Sequence, residues 1–169
     1  MSAFLIRPAA VRDLRAVQDL LVRALDEAHG RSLAPDKIAG LNQAHHSMAA
    51  LSTDLDDPHA SFLVAESRTG AIAGHAVGRA ADARTLRVHR LFVRADHQRL
   101  GIGSALLAAL ASRHPAATRM TLEVETTNAD ARAFYADQGF VPYGERVEDW
   151  RMLIQLAKPL MRPPGRTPG

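Results

Sequence analysis

Two glycines at the start of an apolar helix constrain this chain more than any other feature. Residues 91–104 read as a strand, a turn and a helix, with Gly101 and Gly103 where the helix begins. Glycines remove side chains from the first helical turn, so its free backbone N–H groups can face an anion, and the helix dipole adds to the attraction. Arg94 and Arg99 lie nearby in sequence as further phosphate partners. The segment predicts a site for a phosphate or pyrophosphate group.

Two common nucleotide-binding motifs do not fit this turn. A P-loop requires lysine before the serine, and Ser104 follows Gly103 instead. A dinucleotide-binding turn has a third glycine where this chain has Leu106, and it belongs to the first strand of its βαβ unit. A pyrophosphate turn of another type remains, beside the alternative that the helix merely begins with glycines.

The hydrophobic pattern predicts an α/β domain with a mixed, largely antiparallel sheet and flanking helices. The sheet is antiparallel at its start, and the helix after the glycine turn crosses between two parallel strands. Asp13 is the predicted cap of the first helix. Residues 142–150 are a predicted loop. The predicted strands are residues 5–8, 61–66, 71–77, 85–93, 120–125, 141–143 and 150–156, and the predicted helices are 11–29, 35–55, 100–113 and 128–138.

Length and composition indicate one cytoplasmic domain. The chain has 169 residues, and we assign residues 1–158 to the domain and the proline- and glycine-rich residues 159–169 to a flexible tail. No apolar run reaches the ~20 residues of a membrane span, and the start lacks a secretory pattern. Absence of cysteine excludes disulfides, thiolate metal sites and a cysteine nucleophile.

The net charge of +3 comes almost wholly from arginine and is spread along the chain. Aromatic residues make up only 5%, so a nucleic-acid surface of basic and aromatic side chains is disfavoured. His45 and His46 are adjacent in a predicted helix, where their side chains diverge, so we expect no metal site.

A second motif lies in residues 128–140. Together with the glycine turn, it resembles the GCN5-related N-acetyltransferase (GNAT) superfamily. The pyrophosphate motif of that family, Gln/Arg-x-x-Gly-x-Gly/Ala, is matched by Gln98, Gly101 and Gly103. Its later motif, Asn-x-x-Ala-x-x-Phe-Tyr-x-x-x-Gly-Phe, is matched by Asn128, Ala131, Phe134, Tyr135, Gly139 and Phe140. The resemblance covers about residues 4–158 and is weakest over 32–58.

The resemblance implies an acetyl-coenzyme A site. The strand with Leu91, Phe92 and Val93 would splay from the strand at 122–125, and the pantetheine arm would pair with the backbone of Leu91 and Val93. Asn128 would hydrogen-bond that arm. The pyrophosphate would be held by the amides of Gln98, Arg99, Leu100, Gly101, Ile102, Gly103 and Ser104.

The resemblance also implies an acetyl transfer to an amine without metal. Tyr135 would protonate the leaving thiolate, and the backbone N–H of Val93 would stabilise the oxyanion. Since the chain has no cysteine, we expect direct transfer in a ternary complex.

The general base is left open by the sequence. Arg87 replaces the glutamate that many relatives carry at that position. Glu123 is our first candidate, because it matches the Leu-Glu-Val stretch of the branch that acetylates protein N-termini. Glu125, His89, His75 and a water chain are alternatives.

The acceptor is not coded in the sequence. The candidates are a small amine, a protein N-terminus or lysine, and the aminoacyl end of a charged transfer RNA. A non-catalytic coenzyme A sensor is the alternative outside catalysis. By analogy with the fold, the last strand is a candidate for pairing in a homodimer.

Overall fold

A computed structural model describes residues 3–161. These residues form five helices and seven strands. The helices are α1 (Leu14–His29), α2 (Pro35–His45), α3 (Met48–Asp56), α4 (Ile102–Arg113) and α5 (Ala129–Asp137), and the strands are β1 (Phe4–Pro8), β2 (Ala60–Ser67), β3 (Ile72–Ala80), β4 (Thr85–Val93), β5 (Arg119–Glu125), β6 (Val141–Glu148) and β7 (Arg151–Pro159). None of the helices in this range is long and apolar enough to cross a membrane.

The strands form one open sheet in the order β1-β2-β3-β4-β5-β7-β6. Strands β1 and β2, β5 and β7, and β6 and β7 pair antiparallel, whereas β4 and β5 are parallel. Helix α4 makes the crossover that a parallel pair requires. The parallel register joins residues 85–87 to 119–121 and ends there in the described strands, although β5 continues to Glu125. This early end is what a splayed pair requires, and the predicted fold class is confirmed.

The chain divides into two compact units. The first runs to Gly78 and resumes at Arg90–Leu110. Its core forms where the apolar face of α1 packs on β2 and β3, because residues three and four apart share one helix face. The buried members are Leu14, Val17, Leu20, Leu21, Leu51, Phe62, Val64, Ile72 and Val77.

The start of α1 differs from its prediction. A short 3₁₀ turn, Val11–Asp13, precedes the helix, and Asp13 makes no side-chain cap bond to α1. Its buried carboxylate instead accepts a hydrogen bond from the amide of Ala10 and pairs with Arg7. The guanidinium of Arg7 lowers the pKa of Asp13. The predicted single helix at 35–55 is also wrong, because the hydroxyl of Ser47 accepts a bond from the amide of Ala50 and begins a separate helix, α3.

The second unit contains Arg79–His89 and the chain from Ala111 onward. The loop predicted at 142–150 is wrong, because β6 runs through most of it. Strand β7 lies between β5 and β6, so it has no open edge for the predicted dimer pairing. Of the predicted tail, Pro159 ends β7 and residues 162–169 lie outside the described residues.

Candidate active site

The glycine turn lies in the first unit and follows the end of β4. The amide of Arg94 donates to the carbonyl of Ala73 on β3, which fixes the chain as it leaves the strand. Two positive φ angles then bend it, 63° at Arg99 and 82° at Gly101. Gly101 adopts this conformation without the strain that a side chain adds. Helix α4 begins at Ile102, so the first amides of that helix have no partner within it.

Gly74 lets the start of α4 lie close to the sheet. A Cβ added at Gly74 would be 3.0 Å from Cγ2 of Ile102 and 3.1 Å from the carbonyl oxygen of Phe92. The second neighbour is backbone and has no rotamer by which to move away. Gly74 therefore fixes the spacing between β3, the end of β4 and the first turn of α4.

The charged side chains of the turn are partly paired. Arg94 and His97 both contact the carboxylate of Asp96, and they lower its pKa. Gln98 donates from Nε2 to the carbonyl of Val93 at 3.2 Å. A carbonyl has a second lone pair, so this bond leaves the backbone of Val93 able to accept another.

In the second unit, α5 carries both polar residues of the later motif. Asn128 is exposed, and its Oδ1 accepts a hydrogen bond from the amide of Ala131 and so caps the helix. Gly139 ends the segment at φ 89°, in the left-handed region that favours glycine. Tyr135 is 9% exposed and packs edge-on against Phe134 and Phe140. Burial raises the pKa of Tyr135 to about 12, so its hydroxyl stays protonated across the physiological range.

Glu123, in the middle of β5, is surrounded by hydrogen-bond donors. Arg146 on β6 binds both of its carboxylate oxygens at 2.8 Å. Nη2 of Arg87 on β4 lies 3.1 Å from Oε2, and Nε2 of Gln155 on β7 lies 3.3 Å from Oε1. Chiefly through the bonds from Arg146, the pKa of Glu123 falls to about 2.

This contact set extends into a chain of alternating charges, which we call the ion-pair ladder. Arg146 also contacts Glu148 at 2.9 Å, Glu148 contacts Arg151 at 2.6 Å, and Arg151 contacts Glu125 at 3.0 Å. The ladder consists of Arg87, Glu123, Arg146, Glu148, Arg151 and Glu125. The contacts of Arg146 and Gln155 with Glu123 were not predicted from the sequence. The only feature that marked these two residues was their polar character in a strongly charged stretch.

The other candidate bases occupy different environments. His75 is completely buried on β3, tilted against Phe62, and its Nδ1 lies 3.1 Å from the carbonyl of Leu63. Burial lowers the pKa of His75 to about 3. His89 is exposed on β4, and Glu125 is bound by Arg151. In the described part of the chain, no group of three or more histidine, aspartate or glutamate side chains is arranged to hold a metal.

The predicted site residues therefore form two sets. The first unit holds Leu91, Phe92, Val93, Gln98, Arg99, Leu100, Gly101, Ile102, Gly103 and Ser104 on β4, the turn and α4. The second unit holds Glu123, Asn128 and Tyr135 on β5 and at α5.

The family model of the acetyltransferase (GNAT) family matches residues 16–140. That is most of the chain, and the chain belongs to this family. The chain matches no curated protein.

Solved structures of acetyltransferases share the fold of this chain. A PaiA N-acetyltransferase from Thermoplasma acidophilum, in complex with coenzyme A, is similar at TM-score 0.78 and 15% identity, over 90% of this chain and 97% of that one. A phosphinothricin acetyltransferase from Sinorhizobium meliloti, in complex with acetyl-coenzyme A, is similar at TM-score 0.67 and 20% identity, over 99% and 94%. A ribosomal-protein-alanine N-acetyltransferase from Brucella melitensis is similar at TM-score 0.67 and 24% identity, over 92% and 99%.

Proposed function

We propose that this protein transfers an acetyl group from acetyl-coenzyme A to a primary amine, by direct attack in a ternary complex. The observation that carries the proposal is the glycine turn, where positive φ angles at Arg99 and Gly101 lead into the first amides of α4, which have no carbonyl partner within the helix itself. An array of backbone N–H groups at a helix start is suited to a pyrophosphate. Membership of the acetyltransferase family and neighbours that bind coenzyme A support the same cofactor.

The cofactor contacts follow from the two motifs. We assign the pyrophosphate to the amides of residues 98–104 and the pantetheine arm to the backbone of Leu91 and Val93, which flank Phe92 on β4. Asn128 uses its Oδ1 as a helix cap, so we assign its amide group as the donor to the pantetheine arm. Arg99 is the phosphate partner of choice among the arginines of the turn, because Asp96 already neutralises part of the charge on Arg94.

The reaction forms an N–C bond and breaks a C–S bond. A neutral amine attacks the thioester carbonyl, whose oxygen becomes negative and is stabilised by the N–H of Val93. Collapse of that intermediate releases the thiolate of coenzyme A, and the amine nitrogen loses one proton. The thiolate gains one proton, so the products are the amide and free coenzyme A.

Tyr135 is the proposed donor to the leaving sulfur. A hydroxyl with a pKa of about 12 is protonated at working pH. A thiol ionises near pH 8.5, so complete transfer of the tyrosine proton to the sulfur is uphill. Tyr135 acts mainly by donating a hydrogen bond that stabilises the developing thiolate. The thiolate then takes its proton from solvent, which in turn accepts the proton that the amine nitrogen loses.

The role of Glu123 as the general base stays a prediction, and its surroundings count against it. A carboxylate held by two arginines, with a pKa of about 2, is a very weak base. We propose that Glu123 holds Arg87 and Arg146 in place beside the acceptor.

Acceptor-dependent thiol release tests the proposed function. The purified protein is first titrated with coenzyme A by calorimetry and then incubated with acetyl-coenzyme A and a panel of amines and peptides. Thiol release that requires an acceptor supports an acetyltransferase. Binding without release by any acceptor, charged transfer RNA included, would favour a sensor module, and absence of coenzyme A binding would reject the proposal.

A further inference from the structure

The ion-pair ladder leaves no carboxylate on its sheet face without a cation. Its three glutamates, Glu123, Glu125 and Glu148, each contact at least one arginine within 3.1 Å. Three guanidinium groups and three carboxylates give the ladder a net charge of zero. A side chain that accepts a proton in catalysis needs a lone pair that is not already committed.

Every group that faces Glu123 donates to it. Arg87 approaches from β4, Arg146 from β6 and Gln155 from β7. On its own strand, the nearest carboxylate on the same face is Glu125, which Arg151 holds. Protonation of Glu123 would weaken at least one of these contacts, since a carboxylic acid accepts less well than a carboxylate.

A ladder whose carboxylates are all held by arginines is poorly suited to deprotonate an ammonium ion, so it favours an acceptor amine that arrives already neutral. At pH 7 roughly a tenth of peptide N-terminal amines are neutral, since their pKa is about 7.7–8.0. A lysine side chain, with a pKa of about 10.4, is neutral in roughly one molecule in 2,500. The neutral fractions of the two amines therefore differ by about 300-fold. Lysine is the more basic amine and the stronger nucleophile, which offsets part of this difference.

We propose that the acceptor is the α-amino group of a peptide or protein N-terminus, captured in its neutral form, and that Glu123 is a positioning residue and not the base. This inference rests on the proposed function and names its acceptor class.

The charge of the ladder favours a peptide over the charged alternatives. A polyamine is drawn to an uncompensated acidic surface, and a transfer RNA to an uncompensated basic one. The ladder provides neither, because its arginines and glutamates alternate. A neutral amine on a peptide backbone requires no net charge at the site.

The experiment compares matched acceptors over pH 6–9.5. One peptide has a free N-terminus and no lysine, and the second has the same sequence with a blocked N-terminus and one lysine. Spermidine and an aminoacylated transfer RNA complete the set. Thiol release gives kcat/KM, and mass spectrometry locates the acetyl group.

We expect the free N-terminus to exceed lysine and spermidine by at least ~30-fold in kcat/KM at pH 7, after allowance for nucleophilicity. The logarithm of kcat/KM rises with a slope of about one and levels near the pKa of the acceptor itself. In Glu123→Gln, kcat/KM falls by less than ~10-fold, as expected of a residue that acts through its neighbours, and the pH profile keeps its shape. Arg15→Gln, on the exposed face of α1, is the control variant and leaves kcat/KM and the pH profile unchanged.

Three results would overturn the inference while leaving the acetyltransferase intact. They are a lysine or spermidine rate equal to that of the N-terminus, activity confined to the aminoacylated transfer RNA, and an enzyme pKa between 5 and 8 that disappears in Glu123→Gln. Failure of every acceptor would instead reject the proposed function, and this inference with it.

Discussion

Tyr135 is the residue whose chemistry can be isolated most cleanly. Tyr135→Phe removes one hydroxyl and keeps the ring contacts with Phe134 and Phe140. Because the hydroxyl is proposed to act on the leaving thiolate, kcat should fall by ~10- to 100-fold, while the Kd for coenzyme A changes by less than about threefold. Acceptor-dependent thiol release and calorimetry measure the two quantities.

The other tyrosine of the chain, Tyr143, supplies the matched control. It lies half-exposed on β6, with the guanidinium of Arg119 over its ring. Tyr143→Phe should leave kcat and Kd as they are. A kcat for Tyr135→Phe that equals the wild-type value would contradict the role of Tyr135.

At the scale of elements, the position of α4 depends on a missing side chain at Gly74. Gly74→Ala places a methyl group 3.0 Å from Ile102 and 3.1 Å from the carbonyl oxygen of Phe92. Either β4 or the start of α4 must shift, so we expect a loss of about 1–3 kcal/mol in the free energy of unfolding. Coenzyme A binding should weaken, because the pyrophosphate amides move with α4.

Gly40→Ala is the control for this substitution. Gly40 lies in α2, and a Cβ there meets nothing within 4 Å. Alanine should stabilise the helix by up to about 1 kcal/mol and leave coenzyme A binding unchanged. Urea denaturation gives the stability of both variants, and equal effects of the two substitutions would show that packing at Gly74 is not the cause.

The ladder links β5 to β6 through a bidentate contact. A double-mutant cycle with Glu123→Gln and Arg146→Gln should give a favourable coupling free energy that exceeds that of a simple surface ion pair, because the contact is bidentate and Glu123 is largely buried. The Arg15–Asp19 pair on α1, exposed and 3.8 Å apart, is the control cycle and should give less than ~0.5 kcal/mol. Equal couplings would mean that Arg146 contributes no more than a surface ion pair.

The sequence predicted the helices and strands in which apolar residues recur at a regular spacing. Helix α1 and strands β2, β3 and β4 follow from apolar periodicity, and the glycine turn follows from local chemistry. Only the start of β6, residues 141–143, was predicted, because nearly all side chains of this strand are exposed and no alternation marks the rest. Its register on β7 also shifts between Pro142 and Gly144.

The surroundings of Glu123 were beyond sequence reasoning for a related reason. Arg146 is 23 residues away, and it reaches β5 only because β6 pairs with β7 in one particular register. Gln155 has room beside Gly144, where a Cβ would be 2.5 Å from its Oε1. A one-residue slip would turn Arg146 to the opposite face.

At the scale of the whole molecule, two histidines make the free energy of unfolding fall as the solution becomes mildly acidic. Burial lowers the pKa of His75 to about 3 and, with the charge of Arg90, lowers that of His46 to about 4. The unfolded chain binds these protons near pH 6.5, so it holds more protons than the folded protein between pH 6.5 and about 4. Stability is greatest above pH 6.5 and declines as the pH falls, by up to about 1.4 kcal/mol per pH unit for the fully buried His75 and by less for His46, which is partly buried and better screened by solvent.

Urea denaturation at pH 7.5, 6 and 5 measures this slope. His75→Phe keeps a ring beside Phe62 and removes the most deeply buried of the titrating histidines, so its stability should fall less steeply with acid. His59→Gln alters an exposed histidine and should leave the slope unchanged. If the free energy of unfolding of His75→Phe falls with pH as steeply as that of the unaltered protein, His75 is not a source of the acid sensitivity. Asp13 and Glu123, whose pKa values are lowered, lose their contribution only below about pH 4.

The ladder also restricts how this sequence can diverge. Each inner member has two partners of opposite charge, so a single replacement removes one ion pair from each of two neighbours. Homologues that replace Glu123 should also carry a compensating change at Arg146 or Arg87. Substitutions at the six ladder positions should therefore be correlated. A comparison of close descendants would show these substitutions in pairs, whereas the exposed positions of β6 outside the ladder would vary one at a time.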